Sequence, residues 1–118
     1  MENEQLWVEP IGNLIIARVR GIPSEKLLKE CQERVLLLVQ ETKNGRVLYD
    51  ALEMVFPTVD PAIIQRDLNE ALSSEIQLRS AIVVPNSRVA FLARLAFGAG
   101  NYSVFYNDFA AAFQWLEQ

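Results

Sequence analysis

Tyr102-Ser103-Val104-Phe105-Tyr106-Asn107-Asp108-Phe109-Ala110-Ala111-Ala112-Phe113-Gln114-Trp115-Leu116-Glu117-Gln118 reads as a strand, a turn and a closing helix. Val104, Phe105 and Tyr106 have strand chemistry, being β-branched or aromatic. Asn107 turns the chain, and Asp108 is placed to accept from the exposed amides of a following helix. Phe109, Ala112, Phe113 and Leu116 then recur at helical spacing, which predicts that the aromatic side chains of this helix belong to the core. The unit brings architecture and no chemistry.

The upstream chain supplies more units of the same kind. Leu6–Glu9 is an edge-strand pattern, and the turn cluster Pro10-Ile11-Gly12-Asn13 separates it from a second strand, Leu14–Arg20. The two are expected to pair as an antiparallel hairpin. Gly21-Ile22-Pro23-Ser24 ends the second strand, with Ser24 as a cap for a helix over Glu25–Lys43 that Asn44-Gly45 stops. Leu27, Leu28, Cys31, Val35, Leu38 and Val39 form its buried stripe, while Glu30, Glu33, Gln40 and Glu41 form its wet face. Arg46–Asp50 is a short strand. Asp60-Pro61 starts a further helix that runs to about Leu72. Leu78–Val84 is the strongest strand, and its run Ala81-Ile82-Val83-Val84 predicts a central position covered on both faces. Pro85-Asn86-Ser87 starts the next helix, which Gly98-Ala99-Gly100 ends. The resulting order, ββαβαβαβα, predicts an α/β fold with one mixed sheet. That sheet is mostly parallel, with one antiparallel edge strand. With 118 residues and no linker-like shift or repeat, a single domain over 1–118 is expected.

Composition narrows the chemistry. Hydrophobic residues make up 51% of the chain, enough for a core without disulfide or metal staples. No histidine is present, which removes the usual general base near neutral pH and the commonest transition-metal ligand. The single cysteine, Cys31, lies on a helical stripe, so it reads as a small buried hydrophobe rather than a reactive thiol. No metal, no cofactor and no enzyme activity are therefore expected. A net charge of −4 without a basic run argues against nucleic acid. The acidic start, Met-Glu-Asn-Glu-Gln, is unlike a signal peptide, and no apolar run nears the ~20 residues of a membrane span. A soluble cytoplasmic protein is the expectation.

Several local signatures, in this order, resemble the SpoIIAA-like families, relatives of the STAS domains of anti-sigma-factor antagonists. The residues that carry the likeness are Trp7 on the first strand, the Gly12 turn and the Gly21-Ile22-Pro23 exit. They continue with Arg46-Val47-Leu48-Tyr49-Asp50, Ala81-Ile82-Val83-Val84-Pro85 and the closing Val104-Phe105-Tyr106-Asn107-Asp108-Phe109 to Trp115-Leu116. The resemblance implies a regulatory interaction module. Antagonists carry an Asp-Ser-Ser-Gly-like loop, whose serine a partner kinase phosphorylates, just after the strand-terminal aspartate. Laying Asp50 on that aspartate puts Phe56 on the family's buried apolar position and Thr58-Val59-Asp60-Pro61 on the switch loop. Serine and glycine are both replaced, which implies that the phosphoswitch is lost. Asp60 then stands either as a fixed negative charge at the helix start or as an ordinary cap, and Thr58 is a candidate phosphosite. The serine-less branch is also similar to lipid-binding CRAL-TRIO domains, which implies an alternative function in binding an apolar ligand or a membrane surface.

In open α/β sheets ligands collect at the carboxyl ends of the strands. Ser24, Asp50, Glu53, Thr58, Asp60, Asn86, Ser87, Arg88, Asn107 and Asp108 fall there in this chain. Asp50 and Glu53 invite reading as a carboxylate pair, although strand caps and turns also explain them. Arg18 and Arg20 alternate onto one face of their strand, with Glu9 or other surface acids as the expected partners. The helix that follows Pro85 is distinctive. Arg88 and Arg94 are its only charges, while Val89, Phe91, Leu92, Leu95 and Phe97 point nearly all round at ~100° per residue. Either neighbouring elements cover it, or its outer face docks a second copy, a protein partner or a lipid. Homodimerisation through this helix is the favoured expectation. The candidate binding residues are thus Asp50, Thr58, Asp60, Arg88, Phe91, Arg94 and Phe97.

Overall fold

A computed structural model describes residues 5–55, 78–97 and 101–118. Strands β1 (Leu6–Ile11), β2 (Leu14–Val19), β3 (Arg46–Asp50), β4 (Arg79–Val84) and β5 (Asn101–Tyr106) form one sheet in the order β1-β2-β3-β4-β5. β1 runs antiparallel to β2, and every other neighbouring pair is parallel. The helices among the described residues are α1 (Glu25–Thr42), α2 (Ser87–Phe97) and α3 (Phe109–Glu117). The mixed α/β sheet with an antiparallel edge is the one that the strand and helix patterns predict. The helix expected from Asp60 lies outside the described residues, as do Phe56, Thr58 and Asp60 themselves.

Local chemistry accounts for the element ends. The β1–β2 turn has two residues, Gly12-Asn13, so Pro10 and Ile11 belong to the strand and not to the turn cluster expected from sequence. Gly12 holds φ 59 at the first central position, where a glycine permits the turn whose twist suits a hairpin. Ser24 caps α1, its hydroxyl accepting from the Leu27 amide at 3.1 Å. α1 ends at Thr42, because Lys43, rather than Gly45, takes the left-handed conformation (φ 58). Asn86 caps α2 by accepting from the Val89 amide at 3.0 Å, and Asp108 caps α3 by accepting from the Ala111 amide at 3.0 Å. Asn107, at φ 53, makes the sharp exit from β5 that its position suggested.

Two cores flank the sheet. On one face, Ile15, Ala17, Val19, Val47, Tyr49, Ile82 and Val84 pack against Leu27, Cys31, Val35 and Val39 of α1 and Val89, Ala90 and Ala93 of α2. On the other, Leu14, Leu48, Ala81 and Val83 pack against Ala112 and Leu116 of α3, with Phe109, Phe113 and Trp115 around them. Alternation along β3 and β4 feeds both cores, which is why Ala81–Val84 is apolar without a break. At ~25 cal/mol per Å² of apolar surface removed from water, this two-sided burial is the main stabilising term.

α3 has no basic residue in its last turn, where a cation would complement the negative end of the helix. The sheet supplies one. Arg79, at the start of β4, donates from Nε (3.2 Å) and Nη2 (2.7 Å) to the Trp115 carbonyl, with its guanidinium 3.9 Å from the centre of the Trp115 ring. Arg79 therefore secures the end of the helix that closes the second core.

Candidate functional site

The carboxyl ends of β2 and β3 converge on Asp50. Parallel register sets Arg18 beside Asp50, and antiparallel register sets Trp7 beside Arg18, so the three residues form a line across three strands. Arg18 Nε donates to Asp50 Oδ2 at 3.1 Å, and its guanidinium lies 5.9 Å from the Trp7 ring. The other carboxylate oxygen, Oδ1, accepts from the Leu52 amide at 3.2 Å and so shapes the turn that leaves β3. Beyond the strand ends, Arg20 Nη2 contacts Glu53 Oε1 at 3.3 Å. Gly21 extends the pairing, donating its amide to the Glu53 carbonyl and accepting from the Val55 amide.

Arg18 and Arg20 do not reach Glu9: they pair with Asp50 and with the surface acid Glu53, because parallel register brings β3 and its exit loop beside them. Asp50 and Glu53 each carry their own arginine, and Asp50 accepts from the Leu52 amide, in keeping with the strand-cap and turn reading of these acids. The line of Trp7, Arg18 and Asp50 was not visible in sequence, since it depends on two registers at once.

The other candidates gather around α2. Val89, Ala90, Leu92 and Ala93 are buried against the sheet. Phe97 is also turned inward, 5.1 Å edge-on from Tyr49 and 6.1 Å from Tyr102. Phe91 remains 57% exposed and Leu95 38% exposed. Arg94 Nη2 donates to the Tyr106 hydroxyl at 3.3 Å, and Arg88 is exposed near the start of the helix. The all-round apolar pattern thus resolves into a buried face and an aromatic outer face, with Phe91 and Leu95 on the wet side and Phe97 in the core.

Between α1, α2 and the sheet lies a cavity of about 70 Å³. Val19, Leu28, Ile82, Leu92, Ala93 and Phe97 are among its walls. The Tyr49 hydroxyl donates to Gln32 Oε1 at 3.1 Å beside it, and burial pushes the tyrosine pKa upward. Burial likewise pushes the Cys31 thiol up to about 12, so Cys31 is a neutral, weakly nucleophilic wall residue. Among the described residues, no group of three or more acids or cysteines is arranged to hold a metal ion. None of the described helices is long and apolar enough to cross a membrane.

No family model matches the chain, and no curated protein matches it. Solved structures do. The anti-sigma factor antagonist SpoIIAA in its unphosphorylated form superposes with a TM-score of 0.62 at 11% identity, covering 95% of this chain and 97% of that one. An uncharacterized protein of the DUF3478 family from Shewanella loihica, with a SpoIIAA-like fold, gives a TM-score of 0.59 at 17% identity, covering 94% and 91%. The fold of this chain is SpoIIAA-like, as its strand-end and closing motifs implied.

Proposed function

We propose that this chain is a non-enzymatic interaction module of the regulatory type, acting through the outer face of α2 on a second copy of itself or on a protein partner. The fold supports the module class, since a similar structure belongs to an anti-sigma factor antagonist. The observation that carries the surface is Phe91: an aromatic ring 57% exposed, one turn from Leu95, on a helix whose remaining charges are two arginines. The sequence Val59-Asp60-Pro61 supports action without a kinase-controlled serine, with Asp60 as a constant charge or a simple cap and Thr58 as the remaining hydroxyl in the loop. Asp50 serves this module by holding the β3 exit through Arg18 and Leu52, not by acid–base chemistry. Sedimentation velocity tests the surface. Wild type should self-associate and Phe91→Glu should weaken that association while leaving the circular dichroism spectrum unchanged; equal behaviour of the two proteins would refute it.

The cavity favours a second reading, an apolar ligand held between α1 and α2 or delivered to a membrane surface. Its described walls are mostly hydrocarbon, with Asp50 and the Tyr49–Gln32 pair as the polar groups among them. Native mass spectrometry of freshly purified protein separates the readings, because a retained small molecule adds mass to the monomer whereas self-association doubles it.

A further inference from the structure

The cavity between α1, α2 and the sheet has a cause in the sequence. Register sets Ala17, Tyr49 and Ile82 side by side across β2, β3 and β4, on the face that the two helices cover. Ala17 and Ala51 from the sheet and Ala93 from α2 are walls whose side chains stop at one carbon, and the space between them is left unfilled. Asp50 and Ala51 place the cavity toward the carboxyl end of β3, the end of a parallel strand at which ligands collect.

The polar walls define what fits. The Tyr49 hydroxyl spends its only proton on Gln32 Oε1 at 3.1 Å, which leaves the phenolic oxygen as an acceptor. The Gln32 NH2 group donates to no described residue and remains a donor. Asp50 is the one acid among the described walls, and both its oxygens are engaged, Oδ2 by Arg18 and Oδ1 by the Leu52 amide. No lysine or arginine is among those walls, so an anionic group would be buried beside a carboxylate without a cation to meet it. A cationic group would have to take Asp50 from Arg18. Volume sets the length: an apolar cavity of ~150 Å³ takes benzene. At about 70 Å³ this one admits roughly three to four non-hydrogen atoms, which excludes a lipid chain.

We infer that this cavity binds a short, uncharged molecule with one donor–acceptor group, an alcohol or a primary amide, whose oxygen accepts from Gln32 and whose proton goes to the Tyr49 oxygen. The inference rests on the apolar-ligand reading of the cavity and narrows it to a short neutral molecule. It uses the inner face of α2, opposite Phe91, and leaves the docking surface on the outer face intact.

Solution NMR of the isotope-labelled protein tests it, with propan-2-ol, acetate and octan-1-ol as probes and Gln32→Leu and Ala93→Leu as variants. Propan-2-ol should shift the amides of Ala17, Tyr49, Ile82 and Ala93 of wild type with a Kd of about 10 mM or tighter, within what four non-hydrogen atoms can supply. Acetate, of the same size, should bind at least tenfold more weakly. Ala93→Leu fills the space and should abolish the shifts. Gln32→Leu, at a half-buried position of α1 that keeps the fold, should weaken propan-2-ol at least fivefold. Acetate binding as tightly as propan-2-ol, or Gln32→Leu binding with unchanged affinity, overturns the inference. If octan-1-ol shifts the same amides and propan-2-ol does not, the size class is overturned while the apolar-ligand reading stands. If no probe shifts them, both are overturned, and the α2 surface is judged separately by sedimentation.

Discussion

Replacing Arg79 by methionine tests how α3 is held. Methionine keeps an unbranched apolar stem and removes the guanidinium. Three contacts vanish: donations of 3.2 and 2.7 Å to the Trp115 carbonyl, and the guanidinium 3.9 Å from the Trp115 ring. Hydrogen bonds from a charged donor contribute about 1.5–3 kcal/mol, and a partly exposed cation–π contact about 0.5–1. Both donations share one oxygen, and Arg79 is only half-buried, so the lower end applies. The expected loss is about 2 kcal/mol, or a fall of about 8 °C in Tm for a chain of this size. Urea unfolding followed by tryptophan fluorescence measures it, with an unchanged slope on denaturant because the folded surface is conserved. Arg79→Lys separates charge from shape: a point charge lacks the fork and stacks poorly, so it should recover less than half the loss. A methionine variant within about 0.5 kcal/mol of wild type, or a lysine variant equal to wild type, would refute the anchoring role.

Asp50→Asn should cost only about 0.5–1 kcal/mol, since it removes the pairing with a half-exposed arginine while keeping an acceptor for the Leu52 amide. Asp50→Ala should cost about 2 kcal/mol in the same urea titration, the difference reporting the turn bond. Lys43→Gly should raise stability by roughly 0.5–1 kcal/mol in thermal melts, because a glycine adopts φ 58 without the side-chain clash. For Cys31 the sign follows from a thiol pKa raised from 9.0 to about 12: the native state keeps its proton longer than the unfolded chain. Its stabilising contribution is complete below pH 9 and falls by at most about 1.4 kcal/mol per pH unit as pH rises from 9 toward 12. Cys31→Ala should therefore show a shallower alkaline decline than wild type, with Tyr49 supplying the remainder in the same direction.

Features that depend on a residue and its near neighbours were readable before the structure. Ser24, Asn86 and Asp108 cap helices because a short polar side chain one residue outside an apolar pattern has little else to bond. Ala81–Val84 announced burial on both faces by lacking any polar alternation. What escaped was whatever required register. Arg18 meets Asp50 only because β2 and β3 run parallel with that alignment, and nothing in either segment encodes the alignment alone. Lys43 takes the left-handed position two residues ahead of Gly45, and the side chain of Asn44 ties the following turn by donating to the Asn13 carbonyl, a contact from a distant segment, and accepting from the Arg46 amide. The division of α2 into an inner Phe97 and an outer Phe91 was hidden for a different reason. A helix apolar on all sides has no periodic contrast, so the face that meets the sheet is chosen by the sheet.

The second core has a consequence for the order of events during synthesis. Leu14, Leu48, Ala81 and Val83 sit on a face whose described helical cover is α3, and α3 follows all five strands in the chain. α3 is therefore synthesised after the strands that it covers, and until it docks no other described helix shields this hydrocarbon face, the kind of surface that chaperones recognise and that drives aggregation. The capping bond at Asp108 and the Arg79 clasp on Trp115 act at the two ends of that last helix, so both favour its rapid docking once it emerges.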